Sequence, residues 1–208
     1  MSLPVSSAAR SSVEALWLET LGIICDRAAH EVKGALNGVV VNVEVVRSRS
    51  GKPDVTGASL HQFAESAAGQ LEAVIAMTEA MLVLTRPPRR PLNVAQTARN
   101  VEALIGAAAR ADDKRVEMRG IVDALGSTSA DADVARLVIG AAFIAAVDAS
   151  SAVVCSGTHG VESAVLGWEC EAGEGVAPVI DSAVLSLATS EGIEVQGEGS
   201  RLSITFPR

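Results

Sequence analysis

From Val13 the apolar residues fall at Trp17, Leu21, Ile24, Ala28, Val32, Ala35, Val39, Val43 and Val46, in steps of three and four. That spacing keeps one face of a single long helix apolar and demands a partner running beside it. Two adjacent steps of four, around Ala28 and Val32, shift the seam locally at His30. At about 100° per residue, His30 points away from the seam and toward solvent. Asp26, Arg27, Lys33, Gly34 and Asn37 share its face, which makes a polar strip with a small residue in it.

The partner follows directly. Ser48 to Gly57 holds one Pro and two Gly among polar residues and turns the chain. A second helix starts near Ser59 and runs through Leu60, Ala64, Ala67, Leu71, Val74, Thr78, Met81 and Thr85 to a stop at Pro87-Pro88. The two helices form an antiparallel hairpin. Two helices bury only the strip between them, so pairing with a second copy into a four-helix bundle is the simplest way to cover the rest.

After the stiff, basic linker at 87–91 the pattern changes. Strands are expected at Leu92–Val94, Arg115–Met118, weakly Ala124–Ser129, Ala152–Ser156, Ser163–Cys170, Ile193–Gln196 and Leu202–Phe206. Helices are expected at Ala95–Ala111, at Asp131–Asp148 (buried on nearly every side) and at Val179–Ser190, with a Gly-Glu-Gly-Ser turn before the last strand. The chain therefore divides into a tail at 1–11, the hairpin at 12–86, the linker, and a unit at 92–208. The fold class is α+β: a helical hairpin, then an α/β sandwich with helices on one face of a mixed or antiparallel sheet.

Composition narrows the function. Hydrophobic residues make up 49% of the 208 positions but aromatics only 2%, so Ala, Val, Leu and Ile must build the core. A net charge of −8 works against binding nucleic acid or anionic lipid. No apolar run approaches the roughly 20 residues of a membrane span, and no signal peptide is visible, so the chain reads as soluble and cytoplasmic. Cys25, Cys155 and Cys170 lie far apart without a CxxC pair and read as reduced and buried. His30-Glu31 is no zinc-protease motif, because Gly34 stands where the second His is required. His61 and His159 have no partner at ligand spacing. No nucleophile elbow or oxyanion loop supports a Ser-His-Asp site. No metal or cofactor is indicated.

The order of elements and three local motifs together resemble a sensor histidine kinase without its sensory part, over nearly the whole chain from Val13. His30-Glu31-Val-Lys33-Gly34-Ala-Leu36-Asn37-Gly is similar to the family's H-box. Arg136 to Ser150 aligns with the N-box helix, but Ala141 and Ala145 stand where two Asn are expected, and alanine has no side-chain donor or acceptor for a metal or a phosphate. Glu171-Ala-Gly173-Glu174-Gly175 sits at the first glycine box with Glu171 in place of Asp; alone, its glycines are weak evidence for phosphate binding and more often mark a turn. Between Pro178 and Leu185 there is no room for a nucleotide lid, and the second glycine box is absent. Glu191 to Pro207 resumes the closing hairpin.

The resemblance implies a phospho-accepting His30, with Glu31 fixing its tautomer and raising its nucleophilicity. Arg27, Lys33, Gly34 and Asn37 would form the docking strip, with Arg27 and Lys33 either balancing phosphoryl charge or simply solvated. Gly34 replaces the Thr or Asn that positions a hydrolytic water, which disfavours a phosphatase role, and Ala35 replaces a common bending Pro. The function implied is that of a homodimeric histidine phosphotransferase carrying phosphoryl groups between response-regulator receiver aspartates without ATP, its partners being receiver domains or a hybrid histidine kinase. Two alternatives stand beside it: a non-catalytic pseudokinase scaffold that binds and regulates a receiver or kinase, and an active kinase that tolerates Ala141 and Ala145.

Overall fold

A computed structural model describes residues 7–120, 125–171 and 177–208. Helix α1 (Ser7–Ser50) begins inside the stretch set aside as a tail, and α2 (Gly57–Leu84) returns beside it. Arg49 stacks on Phe63, while Asn42 Nδ2 donates to Ser66 Oγ at 3.1 Å and to Gln70 Oε1 at 3.2 Å. As the number falls on α1 it rises on α2, so the hairpin is antiparallel. Gly38 leaves the room that the Gln70 side chain occupies.

The inward registers differ in part from the expected seams. On α2 the inward series is Leu60, Phe63, Ala67, Gln70, Val74, Met77, Ala80, Met81 and Leu84; Ala64, Leu71, Thr78 and Thr85 are exposed. Alternate members of the expected seam are therefore correct, and the others lie one position off. On α1, Val43 is exposed, and Gly38, Asn42 and Val45 turn toward α2. The four-four-three order of the α1 steps recurs along the helix, so the double step at Ala28–Val32 is not peculiar to His30. What changes there is the packing partner. Up to Ala28 the seam is fully buried; beyond it no α1 side chain is.

Among the described residues α2 is the one helix long and apolar enough to cross a membrane by length and composition, against the expectation that no run approaches that. It carries exposed Glu65, Glu72 and Glu79 at seven-residue intervals.

Beyond the linker come β1 (Leu92–Asn93), α3 (Val94–Ala111), β2 (Arg115–Gly120), β3 (Ser127–Thr128), α4 (Ala132–Ala149), β4 (Ala152–His159), β5 (Ser163–Cys170), α5 (Ser182–Ser190), β6 (Glu194–Glu198) and β7 (Arg201–Pro207). The five-stranded sheet has the order β2-β4-β5-β7-β6, with β2 and β4 parallel and every other pair antiparallel. Burial alternates along β4, β5 and β7, and Cys155, Leu166, Trp168, Ile204 and Phe206 point into the core. This one-sided pattern is that of a sheet with helices on a single face. The α+β fold class expected from the sequence is observed: a helical hairpin, then helices on a mixed sheet.

Differences from the expected elements have local causes. The weak strand at Ala124–Ser129 reduces to β3, paired antiparallel with β1, and Ala124 lies outside the described residues. Helix α5 starts at Ser182, not Val179, because the Asp181 side chain accepts a hydrogen bond from the Ala183 N–H and caps it; Val179 is 77% exposed. Gly197 and Glu198 extend β6, leaving Gly199, at φ 57°, and Ser200 as the turn. Cys155 and Cys170 are buried, but Cys25 is only half-buried; all three are free, and burial pushes the Cys155 thiol up to about 12.

The base of the hairpin and the helices on the sheet share one core. Val13, Trp17, Leu21 and Ile24 pack in the same cluster as α3 and α4. At the crossing of α1 and α4, a Cβ on Gly140 would meet Thr20 Cγ2 at 3.0 Å and Trp17 at 3.4 Å. Gly140→Leu is therefore expected to cost about 1–3 kcal/mol in a urea titration, despite leucine's better helix propensity.

Arg136 ties the joint together. Its guanidinium lies 4.6 Å from the centre of the Trp17 ring, pairs with Asp133 at 2.7 Å, and donates to the carbonyl of Arg86 at 2.9 Å. Burial lowers its pKa, and Asp133 opposes that shift.

Candidate functional site

His30 is exposed on α1, as its position opposite the seam requires. It lines an open depression with Asp26, Arg27, Ala29, Glu31 and Lys33 of the same helix and with Ala108 and Asp112 at the end of α3. The depression encloses about 480 Å³. Beside it, two interactions reach the end of α4. Arg27 pairs with Asp148 through both terminal nitrogens, at 2.9 and 3.1 Å, and Lys114 donates to the Val147 carbonyl at 2.7 Å.

The strip residues separate. Lys33 and His30 face the depression, whereas Gly34 lies in a neighbouring hollow with Glu31, Ala35, Gln70, Ala73, Met77, Ala107 and Arg110. Asn37 is exposed one turn further up α1. Glu31 is half-buried between the two hollows. Among the described residues no hydrogen bond joins it to His30, since adjacent positions on a helix do not face each other. The tautomer-fixing contact expected of Glu31 is thus not made here.

Arg27 is 31% exposed and Asp148 54% exposed in their side chains. A pair this wet contributes little, so Arg27→Ala is expected to change stability by about 1 kcal/mol or less. Chemical denaturation of the variant checks this.

Ala141 and Ala145 of α4 line a separate cleft of about 410 Å³, between α1 and the segment running from Ala177 into α5. Its walls are largely apolar, among them Leu16, Ile23, Ile144, Val179 and Ile180. Among the described residues its charged lining is Glu19, Asp148 and Asp181, with no Lys or Arg. Gly173, Glu174 and Gly175 of the expected glycine box lie outside the described residues; Glu171 is exposed at the end of β5.

The remaining histidines are elsewhere. His61 Nε2 lies 3.1 Å from Glu65 Oε1 on the exposed first turns of α2, and His159 is exposed at the end of β4. No group of three or more His, Cys, Asp or Glu that could hold a metal occurs among the described residues.

Sequence reasoning missed Ala108 and Asp112 as walls of the His30 depression and Asp148 as the partner of Arg27. Nothing in their local sequence marks them, because the docking of the hairpin on α3 and α4 brings them there.

No family model matches this chain, and no curated protein matches it. Among solved structures it is similar to the Acinetobacter baumannii histidine kinase AdeS, at 15% identity and a TM-score of 0.33, over 86% of this chain and 97% of that one. It is also similar to a histidine kinase from Burkholderia phymatum, at 18% identity and a TM-score of 0.38, over 87% of this chain and 97% of that one.

Proposed function

We propose that the protein is a histidine phosphotransferase of a two-component phosphorelay, acting in the cytoplasm as a homodimer. The observation that carries this reading is the exposed imidazole of His30 above an open depression, inside an H-box-like stretch of a helical hairpin. A neutral ring nitrogen attacks the acyl phosphate of a receiver aspartate. The N–P bond forms as the acyl O–P bond breaks, and the carboxylate leaves; the reverse step passes the group to a second receiver.

The cleft lined by Ala141 and Ala145 supports a donor other than ATP. Among the described residues three carboxylates and no cation line it, which opposes a polyphosphate, and neither alanine can ligate magnesium. Exposed Leu36, Val40 and Val43 on α1, with Leu71, Ile75 and Leu82 on α2, supply the surface for a second hairpin. Lys33, Gly34 and Asn37 form the strip on which a receiver docks.

The rival reading is a scaffold that binds a receiver or kinase without carrying phosphate. It is favoured by the acidic groups around His30, where Asp26, Glu31 and Asp112 outnumber Arg27 and Lys33. Incubation with phosphorylated receivers separates the two. The phosphotransfer reading expects acid-labile, base-stable label on this chain; binding without label, across the cognate receivers, sinks it and leaves the scaffold.

A further inference from the structure

The joint between the end of α2 and the start of α3 holds a cavity of about 370 Å³, within the size range of small-molecule sites. Its charged lining is one-sided. Arg86, Arg89 and Arg136 contribute to it together with the carboxamide residues Asn93, Gln96 and Asn100, and no carboxylate among the described residues lines it. In a chain of net charge −8 this is a local reversal of sign.

The arginines are not equivalent. Arg90, the next basic residue of the linker, is drawn away to Asp131 and Asp133 at 3.2 and 3.1 Å. Arg86 and Arg89 are exposed and form no salt bridge among the described residues. Arg136 is only 8% exposed, and although Asp133 and the Arg86 carbonyl take its terminal nitrogens, its Nε has no hydrogen-bond partner. The α3 N-terminus adds the positive end of an 18-residue helix. Val83, Pro87, Pro88 and Leu92 make the remaining wall apolar.

We propose that this cavity binds a small organic anion with an apolar body, its carboxylate or phosphate held by Arg86 and Arg89 and its body against the proline wall. Such a ligand bridges the hairpin to the sheet unit at the linker itself. The site lies apart from His30 and does not rest on the phosphotransfer reading.

The test is calorimetric titration of the full chain with octanoate, octyl phosphate and the neutral octanamide. At least one anion is expected to bind saturably. The Arg86→Ala/Arg89→Ala double variant, whose replaced side chains are exposed, is expected to fold and to bind about tenfold or more weakly. Octanoate binding alone identifies a carboxylic acid as the ligand class, octyl phosphate alone a phosphate ester, and both together an anion site of either kind; each supports the proposal. Octanamide binding as tightly as the anions, anion binding unchanged in the double variant, or no saturable binding of either anion overturns it. A His30→Ala chain retains the affinity, so failure here is distinct from failure of the phosphotransfer reading.

Discussion

On the proposed phosphotransfer reading, His30→Ala is expected to abolish the label taken from a phosphorylated receiver, and His61→Ala is expected to leave it unchanged. The chain has three histidines, and only His30 stands over the depression between α1 and α3. His61 is on the first turns of α2 beside Glu65, and His159 lies at the end of β4. Removing the proposed nucleophile leaves no second imidazole at that depression, so the expected loss is total rather than graded. Because His30 is exposed and makes no hydrogen bond or ion pair among the described residues, the substitution leaves the fold intact. Circular dichroism and thermal melting of the variant check that loss of label is not loss of structure. Label persisting on His30→Ala would place the chemistry elsewhere.

Trp17→Ala has the largest expected effect on stability, about 3–5 kcal/mol by urea titration. Trp17 is 3% exposed, in the shared core and against Gly140, with the Arg136 guanidinium over its ring. Truncation loses the buried area, leaves a cavity between two backbones held close by a glycine, and strips Arg136 of its cation–π partner. Trp17→Phe keeps a ring in place and is expected to lose less. A Trp17→Ala variant as stable as the parent would mean that the hairpin base does not depend on this contact.

Much of the architecture was legible because it rests on local periodicity. The α1 seam from Val13 to Ala28, the Pro87-Pro88 stop and the alternation of β5 each follow from residues within a few positions of one another. The α2 register was not, because that helix has apolar residues on adjacent flanks. Leu71 and Ile75 are as hydrophobic as Val74 and Met77, and only the position of α1 decides which pair turns inward. The outward direction of His30 was readable from the seam. Its surroundings were not, since Ala108 and Asp112 arrive by tertiary docking. Arg136 was visible only as a charge in an apolar helix, and its role depends on a carbonyl at the end of α2 and a ring on α1.

The union of the hairpin base with the sheet helices orders events during synthesis. Arg27 and its partner Asp148 are 121 positions apart, and the burial of Val13 to Ala28 needs α3 and α4. As the chain leaves the ribosome, α1 and α2 can pair with each other early, but the lower third of α1 must wait, its apolar face uncovered, until α4 emerges. Closing so long a loop costs entropy before any contact offsets it, which places this docking late in folding. The turn of α1 that carries His30 therefore gains its α3 wall only after the hairpin itself has emerged.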